Sequence, residues 1–324
     1  MARWGIRFAA VVVGAIGVLA SAGAAVAQNY PTRPVKILVP YAAGGPSDVG
    51  ARLLAESLSK HLGVAVIVEN RGGAGGLTGT EAVALGEHDG YTLLYGAIGP
   101  LIFMPTAKTV RYDVDKDFIP LSLVWRSPEV LVVSKKTDVK TVKEFVAKAQ
   151  AKPGELTVAS AGIGTMTHMI SELIKREMKI DLTHVPFRST GAALPDLLSG
   201  IVNSTCADVT VLAPHVNSGA LVGLAISSKE RSPLLPDVPT MTEVGYPGVE
   251  TELWYGVLVP SRTPPAAVEK LKSAIQAAVA DQAFQAGLRK QGAAVETNGN
   301  FAEHLRRERE KWVPVVKAVG LRFD

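Results

Sequence analysis

"FIPLSLVWRSPEVLVVSK" (residues 118–135) is a long extended stretch with little helical period. A second one, "TELWYGVLVP", follows at 251–260. Around them strands and helices alternate. Before the first stretch, "VKILVPY" (35–41) places Val35, Ile37 and Val39 on one strand face. Val49, Leu53, Leu54, Leu58 and Leu62 then recur at helical spacing, with Arg52, Glu56 and Lys60 free to face water. "VAVIVEN" (64–70) and "YTLLYG" (91–96) are further strands, separated by the glycine-rich "RGGAGGLTG" and a helix over 80–85. This βαβαβ order predicts a mostly parallel sheet with helices on its faces. Between the extended stretches the alternation restarts: a helix over 141–151, a strand at 156–162, a helix over 166–178, a strand at 181–187, a helix over 190–199, and strands near 202–209 and 221–227. Two helices, 264–280 and 300–318, close the chain. Two extended stretches bracketing a second α/β unit predict two domains joined by two crossing strands. The first is discontinuous, residues 28–126 plus 257–324. The second is 127–256 and includes the crossing strands.

The start of the chain reads differently. Arg3 and Arg7 precede an unbroken apolar run from Ala9 to Ala20, and Ala25-Val26-Ala27 is a small-residue cleavage pattern. This is the layout of a secretory signal peptide, residues 1–27, and the run is too short for the ~20 residues of a spanning helix. About 297 residues then remain, expected in the periplasm. Without Arg3 and Arg7, 32 basic residues face 30 acidic ones, a net charge of +2, and no basic run points to nucleic acid. Cys206, the single cysteine, lies between Val202 and Val209 and reads as core packing rather than a reactive thiol.

Several chemistries are excluded by what is missing. No lysine follows Gly44-Gly45 or Gly50 as a P-loop requires. Gly73-Ala74-Gly75 and Gly162-Ile163-Gly164 approach a dinucleotide fingerprint, but Thr78 and Thr167 stand where the third glycine belongs. Gly45-Pro46-Ser47-Asp48-Val49 lacks the final glycine of a nucleophile elbow. The six histidines, at 61, 88, 168, 184, 215 and 304, form no metal-binding spacing. All but His168 read as surface or locally hydrogen-bonded residues. The expectation is no enzyme, no cofactor and no metal.

What remains is the holding of an anion. "VPYAAGGPSDVGARLLAESL" (39–58) passes from a strand through Gly44-Gly45 into a helix, and "ASAGIGTMTHM" (159–169) repeats the arrangement. The first turn of a helix offers unpaired N–H groups and partial positive charge, and glycine lets a ligand approach the backbone. The alternative is two tight turns with Ser47 and Thr165 as ordinary N-caps. Matching places in two domains favour a cleft closing on one ligand.

The chain resembles, nearly end to end, the periplasmic solute-binding receptors of tripartite tricarboxylate transporters, the Bug or TctC-type proteins. "YPTRPVKILVPYAAGGPSDVGARLLAESLSKHLG", "VIVENRGGAGGLTGTEAVA", "YDVDKDFIPLSLV", "KPGELTVASAGIGTMTHM", "APHVNSGALVGLAISSKERSPLLPDVPTMTEVGYPG" and "WYGVLVPSRTPPAAVEKL" carry the resemblance in the family's order. It implies an α/β two-domain periplasmic-binding-protein fold of type II, the Venus flytrap, each domain a mostly parallel sheet flanked by helices. It also implies a monomer that holds a small carboxylate in the interdomain cleft and delivers it to membrane transporter subunits; presentation to a signalling partner is the alternative. Carried over, the ligand site comprises Tyr41, Ala43, Gly44, Gly45, Ser47 and Asp48, then Gly96, then Ser160, Gly162, Gly164, Thr165 and His168. Asp48 either stabilises its own helix start or faces an amino group of the ligand. Phe187-Arg188-Ser189 replaces the family's Tyr-Lys-Gly run, and Asp208 stands one place from the usual acidic position. Phe187, Arg188 and Asp208 therefore fall where the far end of the ligand is read.

Overall fold

The structure is a computed structural model that describes residues 30–295 and 300–320; the leader expected at 1–27 lies outside the described residues. Strand β1 (Val35–Val39) buries Val35, Ile37 and Val39 completely, as the alternation predicts. Helix α1 (Pro46–Leu62) lays Leu54 and Leu58 against the sheet and ends at Gly63 in the left-handed region. Strand β2 (Val66–Asn70), helix α2 (Leu77–Ala84) and strand β3 (Thr92–Ala97) follow. β1 lies between β2 and β3, parallel to both.

The stretch at 118–135 becomes β4 (Phe118–Ser134), one strand of seventeen residues. Beyond it come helix α3 (Val142–Ala151), β5 (Thr157–Ser160), helix α4 (Met166–Met178), β6 (Thr183–Pro186), helix α5 (Thr190–Ser199), β7 (Ser204–Asp208), helix α6 (Val209–Asn217) and β8 (Leu221–Ile226). The second crossing strand is β9 (Glu252–Pro260), followed by helix α7 (Pro265–Ala280), helix α8 (Gln282–Lys290), β10 (Ala294–Val295) and helix α9 (Phe301–Val319).

β4 belongs to two sheets. From Phe118 to Pro128 it pairs antiparallel with β9, and from Glu129 to Val133 with β7, while β8 lies along its other edge from Val130 to Ser134. The strand order is β2-β1-β3-β9-β4-β7-β5-β6. Each half keeps a parallel core of three strands, β2-β1-β3 and β7-β5-β6, and the crossing strands add antiparallel neighbours, so the sheet as a whole is mixed.

Two of the longer described helices have no counterpart in the sequence reading. α6 is "VTVLAPHVN", whose β-branched residues and internal Pro214 disfavour a helix on propensity. It forms because Asp208 caps it, its Oδ1 accepting from the Thr210 amide at 2.8 Å. α8 follows α7 after Asp281, which caps it through the Ala283 amide at 2.7 Å. Cys206 is fully buried, and burial holds its thiol pKa well above the usual value, in keeping with core packing. No helix among the described residues is long and apolar enough to cross a membrane.

Candidate functional site

Two loops leave parallel strands and enter helices with the same geometry. After β1 the chain runs Gly44-Gly45-Pro46-Ser47-Asp48 into α1; after β5 it runs Gly164-Thr165-Met166-Thr167-His168 into α4. Gly44 and Gly164 both take left-handed conformations, φ 86° and 75°, which explains glycine at each. The following N-cap residues are extended, Gly45 at φ −86°, ψ 174° and Thr165 at φ −83°, ψ 165°. In each loop a side chain reaches back four residues to the glycine amide. Gly44 N–H donates to Asp48 Oδ2 at 3.0 Å, and Gly164 N–H donates to His168 Nδ1 at 3.2 Å.

Gly45 has no side chain with which to cap, and the Thr165 side chain accepts from no first-turn amide. Ser47 is already inside α1, and the Thr165 hydroxyl donates backward to the Gly162 carbonyl at 2.6 Å. Ser47 is therefore not the N-cap, and Thr165 stands at the N-cap without a side-chain bond to the first turn. First-turn amides without a side-chain partner carry partial positive charge.

Both loops line one cavity of about 450 Å³. Tyr41, Ala43, Gly44, Gly45 and Ser47 line it from the first half, with Ile98 and Gly99 just beyond β3. Thr165, Met166, Thr167, Arg188 and Ser189 line it from the second. Glu129 and Asp208, and the ring of Tyr255, complete the wall. Tyr255 is held by a stack on Tyr95 at 5.4 Å between ring centres and by a tilted contact with Trp125 at 4.7 Å.

Seven expected site residues do not line the cavity. Asp48 turns its carboxylate to the Gly44 amide and to Arg52, whose Nε lies 3.0 Å away. Burial alone would raise its pKa, but Arg52, the Gly44 amide and Asn70 outweigh burial and hold it below the usual value. Gly96 pairs with Gly256 in the middle of β3–β9, where a Cβ would strike Leu258 and Leu101; it serves packing. Ser160, Gly162, Gly164 and His168 form the underside of the second loop. The Ser160 hydroxyl accepts from Gly162 N–H at 3.1 Å and lies 2.6 Å from His184 Nε2, while the His168 and His184 rings stack at 4.1 Å. Burial and the neighbouring His184 push the His168 pKa down to about 4. Phe187 packs beneath β5 against a small cluster of Ala159, Ala193 and Val202.

Glu129 and Tyr255 were absent from the sequence reading. For Glu129 the signal was visible: it is the single acidic residue within the extended stretch at 118–135. The β4–β7 register sets it directly opposite Asp208. Burial and the Asp208 charge hold the Glu129 pKa well above its usual value, and burial raises Asp208 as well.

Comparison with known proteins adds relatives to this geometry. Residues 50–321 match the family model for the tripartite tricarboxylate transporter family receptor. The chain is 35% identical to protein BugT of Bordetella pertussis over 320 residues, 94% of this chain and 96% of that one. The structure of the periplasmic binding protein BugD is similar with a TM-score of 0.81 at 35% identity, covering 90% of this chain and 99% of the other. MatC from Rhodopseudomonas palustris with bound malate gives a TM-score of 0.81 at 34% identity, covering 89% and 100%.

Proposed function

Since the chain belongs to the tripartite tricarboxylate transporter receptor family, we propose that it captures a small carboxylate between its two halves and delivers it to the transporter's membrane subunits. The observation that carries this reading is the pair of congruent helix starts, Gly44–Asp48 and Gly164–His168, lining one cavity from opposite halves. Fixed amides reward the geometry of a carboxylate without a cluster of cations. The relative solved with malate supports the same ligand class. Tyr41, Ala43, Gly44, Gly45, Ser47 and Thr165 touch the ligand in this proposal, while Asp48, Ser160, Gly162, Gly164 and His168 hold the loops in shape. As a receptor of this family, the protein binds without turnover.

The protein is exported to the periplasm, its first 27 residues removed, and works as a monomer. Native mass spectrometry of protein purified from the periplasm tests both statements. The expected spectrum shows a one-to-one complex with a small organic acid on a chain lacking those residues. A full-length soluble chain would refute cleavage, and an adduct without a carboxyl group would refute the ligand class.

Residues 28–126 with 257–324 form one domain and 127–256 the other, hinged about β4 and β9, the two strands that pass between the halves. Closure of such a hinge shrinks the molecule. Small-angle scattering is expected to give a smaller radius of gyration at saturating ligand; an unchanged profile would mean a rigid cleft.

A further inference from the structure

We propose that Glu129 and Asp208 select the ligand's second functional group, and that this group is a protonated amine on the end away from the carboxylate. The inference rests on the carboxylate reading above and names what the cavity holds opposite that group.

The two acids are cross-strand partners on β4 and β7. Directly opposed residues of an antiparallel pair point to the same face. Both line the cavity, yet Glu129 is 0% and Asp208 4% exposed. Asp208 spends one oxygen on the Thr210 amide. Both carboxyl oxygens of Glu129 are buried without a hydrogen-bond partner among the described residues. No ion pair between described residues reaches either acid. Arg188, which also lines the cavity, lies on an exposed loop.

Buried carboxylates without partners are costly, and two side by side more so. Burial therefore drives both groups towards their neutral forms in the empty protein. A second ligand carboxylate would meet two acids and could be held only by trapped protons. A hydroxyl brings a single donor. An ammonium group brings three N–H donors and the positive charge that lets the pair ionise, so its capture releases a proton to solvent. The titratable groups facing Glu129 are Asp208 and Cys206 on β7 and Tyr255 on β9, and Arg188 is the cation among the residues that line the cavity. The loop amides remain for the carboxylate. The ligand class is thus an amino acid in its zwitterionic form.

Calorimetry with straight-chain acids of three to six carbons ending in amine, hydroxyl or carboxylate, such as γ-aminobutyrate, γ-hydroxybutyrate and succinate, tests this on the intact protein. α-Amino acids and the corresponding simple amines complete the panel. An amino acid is expected to bind at least about ten-fold more tightly than the dicarboxylate of equal length at neutral pH. Its binding heat is expected to vary with buffer ionisation enthalpy as proton release requires. Glu129→Gln should lose about ten-fold or more for the amino acid, a larger loss than for γ-hydroxybutyrate, and should release fewer protons on binding. A dicarboxylate preferred by the parent protein overturns the inference and leaves the carboxylate reading standing. Simple amines binding as well as amino acids would uphold the acid pair and refute the carboxylate reading. Silence across the whole panel overturns both.

Discussion

Gly45→Thr is expected to bind the ligand about a hundred-fold more weakly than the parent while melting at nearly the same temperature. Gly45 lines the cavity at the N-cap of α1, and a Cβ built on it meets no atom within 4 Å. Its φ of −86° suits any residue, and Thr165 occupies the matching place in the second loop at φ −83°. Threonine is also an N-cap about as favourable as glycine, so α1 keeps its start. The added side chain instead occupies ligand space beside the first-turn amides. Each buried donor left unpaired by a displaced ligand costs about 1–3 kcal/mol, so two reach the hundred-fold range. Gly44 is the wrong place for this test. Its φ of 86° makes any side chain strained, so lost binding there would be confounded with lost stability. Calorimetry and thermal melting on Gly45→Thr, with the monoamide and methyl ester of the best acid titrated into the parent, decide the matter. Full binding by the variant, or equal affinity for acid, amide and ester, would show that the α1 loop does not hold the carboxylate.

The two crossing strands were legible because β4 and β9 are buried along most of their length and so show no helical period. The two loops were legible because left-handed conformations call for glycine, and Gly44 and Gly164 advertise them. Three features were not. The Glu129–Asp208 pair depends on the register of β4 against β7, strands far apart in the chain, which no local pattern encodes. α6 forms against its own propensities because Asp208 caps it and because Val209, Leu212 and Ala213 find burial. Gly96 was carried over by resemblance as a ligand neighbour, yet its missing side chain makes room for Leu101 and Leu258. In each case the deciding neighbour is tertiary. The same holds for His168, singled out from its position in the second loop, whose stacking partner His184 comes from β6.

That stack gives the second large effect, a stability that falls in acid because of one ring. His168 Nδ1 accepts the Gly164 amide, so it carries no proton in the folded state, and its ring lies 4.1 Å from that of His184. Burial and His184 depress its folded pKa to about 4, against an ordinary value near 6.5, with Lys175 acting in the same direction. A histidine depressed on folding is protonated first in the unfolded chain, so stability is lost as pH falls from 6.5 towards 4. A full shift corresponds to ~1.4 kcal/mol per pH unit; allowing for solvent screening at the loop, about 1–2 kcal/mol should be gone by the acid end. Protonation also removes the only acceptor for Gly164 N–H in its loop, so the loss falls on the ligand site itself. His184 and His304 are depressed as well and add to the acid loss, whereas Glu129, raised on folding, opposes it. The raw melting curve therefore mixes several groups, and a difference is needed. His168→Asn places an amide oxygen near Nδ1 and removes the titration. Melted without ligand across pH 7 to 4.5, the asparagine variant should start at or slightly below the parent and gain on it steadily as pH falls. A gap that stays constant across the range would mean that His168 does not titrate, and that acid acts on this protein through other groups.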